Sequence, residues 1–434
     1  MKTQEKLCKK ELVELFSVGC KSEQNIGIEY ERLPIFNVTS KAVDYGSEFG
    51  ICNLLRAYAK EENWDYITDD YNIVGLKQEH DTITLEPGCQ LELSLKPEKT
   101  IQEVKKKVEK FDGQLKPILD KFGISLLNYG VSPFSTHKSI NLIPKRRYHL
   151  MAKYLWGILS DVMMRETAGI QCCIDFSSEE DSMEKFKIAN KLTPFITAMF
   201  ANSPIRGGVD TGYKSFRALS WLNTDNERCG FVGQIDEKFS FEEYIDYVLE
   251  TPMIFINRGD CVVPINGKIN FSQFINEGFE GYNAEIQDFE LHSNLYFPEV
   301  RMRNFIEIRN QDCVGKDLQY SILAIYKGIL YDKQAKEDIT RLLCSFEYKD
   351  FAELRYMVPK LGMNSNIGKY LVKDFAKEIL NIAEKSLKQT GEEKYLEPVK
   401  EFVEQGICPA DIILRNWYGL WNKDIKKLIK YIEN

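Results

Sequence analysis

Hydrophobic spacing along the chain switches between two periods, and carboxylates fall within the stretches of period two. Ile26-Gly27-Ile28-Glu29-Tyr30-Glu31 alternates apolar and polar positions. So does Ile83-Thr84-Leu85-Glu86-Pro87-Gly88-Cys89-Gln90-Leu91-Glu92-Leu93-Ser94, with Pro87-Gly88 as a turn between two short strands. A third stretch is Phe305-Ile306-Glu307-Ile308-Arg309. Strand side chains alternate faces, so Glu29 and Glu31 share a face, as do Glu307 and Arg309.

Further strands are predicted over 73–78, 90–95, 125–129 and 167–176, the last placing Gln171, Cys173 and Asp175 on one side. Arg301, Arg303, Glu307 and Arg309 all fall at odd positions, which predicts one polar face along a single run, 301–309. Helical spacing predicts helices over 2–18, 48–63, 99–122, 144–157, 183–200 and 241–249. Ser178 followed by Asp181 caps the 183–200 helix, and Lys145-Arg146-Arg147 opens the 144–157 helix. Beyond Lys316 the remainder reads as helices, with a hinge near 406–409. The class is α+β: a strand-rich region over 1–315 and a helical region over 316–434 packed on it.

Composition narrows the function. The 434 residues are 44% hydrophobic and 28% charged, as in a soluble globular protein. A net charge of −8 argues against a nucleic-acid partner. No apolar run has the length of a membrane span, and the charged start, Met1 to Lys6, lacks the apolar core of a secretion signal. A cytoplasmic location is the expectation. The eleven cysteines include no CxxC and read as reduced thiols, and the four histidines form no ligand motif. Any metal must therefore be held by oxygen.

Carboxylates clustered on strand faces suit Mg²⁺, and arginines beside them suit phosphate. No phosphate-binding glycine loop of the GxxxxGK[ST] type is present, so a nucleotide would be held by metal and arginine. Each acidic segment alone has a plain alternative: an exposed strand face for Glu29 and Glu31, an exposed turn for Glu86 and Glu92, an intrastrand ion pair for Glu307 and Arg309. Together their polar faces can line one cavity.

Several segments resemble glutamate–cysteine ligase of the plant and proteobacterial type. They are Gly27 to Glu31, Leu85 to Ser94, Ile143 to Tyr148, Gln171 to Glu179, Phe200-Ala201-Asn202-Ser203-Pro204, Phe297 to Arg301 and Glu307 to Arg309. The resemblance implies a glutamine-synthetase-like catalytic fold, with an antiparallel sheet forming a funnel, and ATP-dependent joining of glutamate to cysteine through a γ-glutamyl phosphate. It also implies Mg²⁺ on Glu29, Glu31, Glu86, Glu92, Gln171 and Glu307, with Glu31, Glu92 and Arg309 in catalysis. Arg147, Tyr148, Arg217, Trp221 and Arg301 would bind substrate, although Trp221 is equally a core residue. Arg228 and Arg309 would bind nucleotide. Cys89 replaces a usual glycine and Cys173 a common asparagine, two departures expected to bear on the acceptor pocket. The alternatives are a ligase for another amine and a phosphotransferase on the same fold.

Overall fold

Alternating β-branched and apolar residues build nine antiparallel strands into one sheet. The strands are β1 (Ile26–Phe36), β2 (Asp65–Asp69), β3 (Asn72–Gln78), β4 (Asp81–Leu85), β5 (Leu91–Ser94), β6 (Ile124–Leu127), β7 (Gly169–Ile174), β8 (Val300–Met302) and β9 (Ile306–Asp312). Their order is β8-β9-β7-β1-β5-β4-β3-β2, with β6 pairing the far end of β1. This computed structural model describes residues 6–232, 235, 239–259 and 261–433.

One sheet face is apolar and covered. Ile28, Tyr30, Leu91, Leu93, Ile170, Cys172, Ile306 and Ile308 are all buried. Helices Ile101–Phe122, Glu179–Met199 and Leu318–Leu330 lie against these strands. Burial of each large side chain contributes roughly 1.5–3 kcal/mol. Arg32, on this same face, is neutralised by Asp112 of the first helix at 2.7 Å and stacks near Tyr30 and Phe111. The opposite face carries the carboxylates.

The hydrophobic core runs from Leu12 to Ile432 and includes residues on both sides of position 315. Helices dominate the tail, and Gly406, in the left-handed region at φ 68°, ends one helix before Pro409 starts the next. A two-residue hairpin, Asn366–Ile367 with Tyr370–Leu371, interrupts them. Among the described residues no helix is long and apolar enough to cross a membrane.

Three local expectations change. The 301–309 run is a hairpin, β8 and β9, because Arg303 and Asn304 turn the chain; Arg301 faces Glu307 as its cross-strand partner. The 144–157 helix is shorter, Arg146–Tyr154, and a second helix, Ser160–Glu166, follows Gly157. The helix nearest the N-terminus spans Lys9–Ser17, and the first four residues of its expected range lie outside the described residues. Strand β2, which is largely exposed at the sheet edge, carries too little apolar alternation to be read from sequence.

The β4–β5 turn is clamped onto the Ser160–Glu166 helix. The Gln90 side chain accepts from Gly88 N at 2.7 Å and donates to the carbonyls of Met164 and Thr167 at 3.1 and 2.9 Å. A Cβ on Gly88 would lie 2.3 Å from the Arg165 carbonyl oxygen. Gly88→Ala should therefore destabilise by about 1–3 kcal/mol, as overpacking does. Gly113 sits mid-helix with open space around it, so Gly113→Ala should stabilise by about 1 kcal/mol. Urea denaturation of both variants checks the contrast, and shifts of the same sign would remove the clamp.

Candidate active site

Strand register assembles the polar face in rows. Arg301, Glu307, Cys173 and Gly27 are successive cross-strand partners. Gln171, Glu29 and Ser94 form the next row, and Glu31, Glu92 and Thr84 the one after. Partners directly opposite share a face, so residues from six strands meet on one surface. A bulge in β9 between Ile308 and Gln311 lets Arg309 reach toward Gln171.

This surface floors a cavity of about 330 Å³. Glu29, Glu31, Glu86, Glu92 and Gln171 line it, with Arg301, Arg303 and Arg309 on the β8–β9 side. Arg147, Tyr148 and Met151, from the Arg146–Tyr154 helix, close the other side. Three strand spacings, roughly 14 Å, separate β9 from β5.

The arginine side is tied together by one carboxylate and keeps a net positive charge. Glu307 accepts from Arg301 Nε at 2.8 Å and Nη2 at 2.9 Å, and also from Arg309. Arg303 lies 3.8 Å away. Burial opposes ionisation of Glu307, but the arginines outweigh it and bring its pKa to about 2. Both its oxygens thus face guanidinium groups, and Glu307 lies beneath the cavity wall rather than on it.

The carboxylate side is not neutralised. Burial, then Glu307, raise the pKa of Glu29 to about 7. Burial and Glu86 raise that of Glu31, although Arg217 opposes them. Glu92 is pushed well above the usual carboxylate range by burial and by Glu29, Glu86 and Glu31. Hydrogen bonds orient these groups. Glu31 accepts from Gly169 N at 2.6 Å and Gln171 Nε2 at 3.0 Å. Thr84 donates to Glu92 at 2.8 Å and Tyr148 to Glu86 at 2.9 Å. Mutually repelling carboxylates open to a cavity are the donor set that a hard divalent cation would relieve. Among the described residues, no three acidic, histidine or cysteine side chains already converge as a metal cage.

Arg147 carries a buried Nε with no hydrogen-bond partner, and its guanidinium lies 5.2 Å from the Tyr148 ring centroid. Trp221 also lines the cavity, with an unpartnered indole N–H and Arg309 5.9 Å from its ring. Arg217 instead lines an adjoining cavity that shares Trp221, Phe297 and Arg309. Its Nη2 donates to the Arg309 carbonyl at 2.9 Å.

Two expected residues lie elsewhere. Arg228 is wholly buried and lines neither cavity: Asp225 at 2.7 Å and the carbonyls of Leu295 and Pro252 take its donors. Cys89 does not line the main cavity either. Its φ of 72° is left-handed, which gives a physical reason for glycine at that position in related motifs. Cys173 remains on the site face, beside Glu29 and Glu307. Sequence reasoning put Arg303 on the polar face without giving it a role of its own, and missed Lys145 and the methionine wall, Met151, Met163 and Met164. The two arginine neighbours, Arg301 and Arg303, were a visible signal; the methionines look like any helix core.

Carboxylates face arginines across an antiparallel sheet, an arrangement of donors suited to a divalent cation and to phosphate. The chain belongs to glutamate–cysteine ligase family 2, whose model matches residues 25–430. It is 33% identical to the chloroplastic glutamate–cysteine ligase of Nicotiana tabacum, over 97% of this chain and 82% of that one. The chloroplastic glutamate–cysteine ligase A of Oryza sativa subsp. indica is 32% identical, over 97% and 87%. In fold it is similar to glutamate–cysteine ligase from Francisella tularensis, solved in complex with AMP: TM-score 0.59, 15% identity, 95% of this chain and 89% of that one. The cytoplasmic expectation is corrected by these names, since both relatives are chloroplastic.

The raised carboxylate pKa values set a pH dependence. Glu29 keeps its proton when folded up to about pH 7 but loses it near 4.5 when unfolded. Without metal, stability should therefore fall as pH rises between those values. Mn²⁺ binding should tighten over the same range, since it needs the ionised form. Glu307 acts in the opposite sense: its contribution is present above about 4.5 and lost as pH falls toward 2. Thermal denaturation in chelator and Mn²⁺ titration calorimetry, with Glu29→Gln as comparison, measure this. Metal affinity flat from pH 5 to 7.5 would remove the carboxylate-repulsion account.

Proposed function

We propose that this chain uses ATP to join the γ-carboxylate of glutamate to the amine of cysteine, giving γ-glutamylcysteine, ADP and phosphate. The observation that carries the reading is the single sheet face on which a carboxyl cluster without cationic partners of its own meets an arginine cluster with net positive charge, in a member of this ligase family. In this reading the antiparallel sheet is a glutamine-synthetase-like funnel, formed by a catalytic region over 1–315 and buttressed by the helical region over 316–434.

A carboxylate is a poor electrophile because its leaving group would be oxide. Attack of a glutamate γ-oxygen on the terminal phosphorus of ATP releases ADP and makes an acyl phosphate. The cysteine amine then attacks the acyl carbon, loses a proton and expels phosphate. Glu29, Glu31, Glu86 and Glu92, with Gln171 as a neutral oxygen donor, would hold Mg²⁺. When bound, the ion neutralises triphosphate charge and orients the transferring group.

The chain's own groups do the remainder. Arg309, with Arg301 and Arg303 behind it, meets the transferring phosphoryl oxygens. Glu307 keeps these guanidinium groups fixed and charged before substrate arrives, so little reorganisation is needed. Glu307 would reach the metal only if Arg309 leaves it for phosphate. Arg147, with its unpartnered Nε, takes the α-carboxylate of glutamate, and Tyr148 holds Glu86 beside it. Arg217 and Trp221 bound the substrate on the arginine side. The methionine wall gives the acceptor a polarisable, water-poor surface.

Product mass after incubation with ATP, Mg²⁺, glutamate and a panel of amines tests the reading. γ-Glutamylcysteine is the expected main product. Glutamate-dependent phosphate release at the same rate without any amine would favour the phosphotransferase instead. Glu31→Gln should lower kcat roughly a hundredfold or more. For Arg147→Ala the expectation is a glutamate KM about 10- to 100-fold higher with the ATP KM unchanged, the size of one charge-assisted hydrogen bond. An unaltered glutamate KM would take Arg147 out of the site.

A further inference from the structure

Asp312 ends strand β9, three residues after Arg309, opposite Gly169 and outside the lining of the main cavity. It is buried, at 2% exposure, and among the described residues no arginine or lysine forms an ion pair with it, although the Arg217 charge acts on it. Its Oδ2 accepts from Asn202 N at 2.8 Å and Ser203 Oγ at 2.7 Å, and its Oδ1 from Ser215 Oγ at 2.7 Å. Ser203, Ser215 and Asp312 are all buried.

Each serine passes the contact on. Ser203 Oγ accepts from the backbone N of Arg217 at 3.2 Å, and Ser215 Oγ accepts from Ala218 N at 3.0 Å. Ser215 is the N-cap of the Phe216–Leu222 helix, which carries Arg217 and Trp221. Arg217 then returns to β9, donating to the Arg309 carbonyl. The loop is closed: Asp312, two serines, the helix start, Arg217, Arg309, and back along β9 to Asp312.

Space around this loop is fixed by glycine at both ends. A Cβ on Gly130 would lie 2.7 Å from the Asp312 carboxyl carbon, and one on Gly169 would lie 2.3 Å from an Arg217 guanidinium nitrogen. Gly169 N in turn donates to Glu31. The bulge that aims Arg309 lies inside the loop, so its backbone has an anchor on each side.

We propose that Asp312 is a positioning residue for the reaction: through Ser203 and Ser215 it sets Arg217, and through Arg217 it fixes the bulged backbone that aims Arg309 at the transferring phosphate. A buried carboxylate is a poor source of net stability, because desolvation offsets its hydrogen bonds. Its use here is geometric. The inference rests on the reading of Arg309 as the arginine that meets phosphate.

The test is a double-mutant cycle between Asp312→Asn and Arg217→Ala, with kcat measured per folded enzyme below the melting range of every variant. Asp312→Asn should lower kcat about tenfold and leave the ATP KM within twofold. In the Arg217→Ala background it should lower kcat no further. Ser215→Ala, which removes one of the three donors, should give a smaller loss in the same pattern and serves if Asp312→Asn does not fold. Additive losses would mean that Asp312 does not act through Arg217 and would overturn the proposal. Arg309→Ala separates the two readings. If it leaves kcat unchanged, the role of Arg309 fails and this inference with it. If Arg309→Ala lowers kcat while Asp312→Asn and Ser215→Ala do not, the inference alone is overturned.

Discussion

Burial of Glu29, Glu31 and Glu92 side by side on one sheet face is the constraint on which the rest of the molecule depends. Carboxyl groups on neighbouring strands would move out to water if the backbone allowed it. The backbone does not, because β1 is paired on both sides and its other face is covered by the Ile101–Phe122 and Leu318–Leu330 helices. The apolar face therefore does more than hold the fold together. It supplies the free energy that keeps these carboxyl groups buried together, and their raised pKa values record first the lost hydration and then the neighbouring charges. Such a cluster, open to a cavity, suits a hard cation.

The arginine side meets the converse problem. Three guanidinium groups would also repel, and Glu307 sits among them as a fixed counter-charge that offsets one of the three. The site is thus divided into a carboxyl-rich part and a part with surplus positive charge.

Much of this was legible in the sequence. Glu29, Glu31, Glu86, Glu92 and Gln171 were readable because strand alternation fixes the face of each, and the structure brings all five to one cavity. Arg301 was assigned to the polar face for a different reason from the one the fold supplies. Odd-numbered spacing along one strand and cross-strand pairing in a hairpin give the same side, so the face survived although the turn at Arg303 was missed. Arg228 was not legible. An arginine in a fully satisfied ion pair with Asp225 has the same sequence appearance as one awaiting phosphate. Nor was Cys89: its place in a functional motif reflects a left-handed turn, and φ is not written in side-chain pattern.

The hairpin has a consequence for how the site comes into being. Arg301 and Glu307 are six residues apart, so their contact closes a very short loop. Glu31 and Gln171 are 140 residues apart and meet only after β1 and β7 pair. Chain entropy orders such events by loop length and topology, short before long. The arginine half can therefore form as a local unit, whereas the carboxyl half waits for the sheet. During synthesis β1 leaves the ribosome first, and β5 and β6 can pair with it before β7 follows. The edge of β1 that meets β7 stays open in that interval, where the charge of Glu29 and Glu31 discourages the chain from pairing with its neighbours.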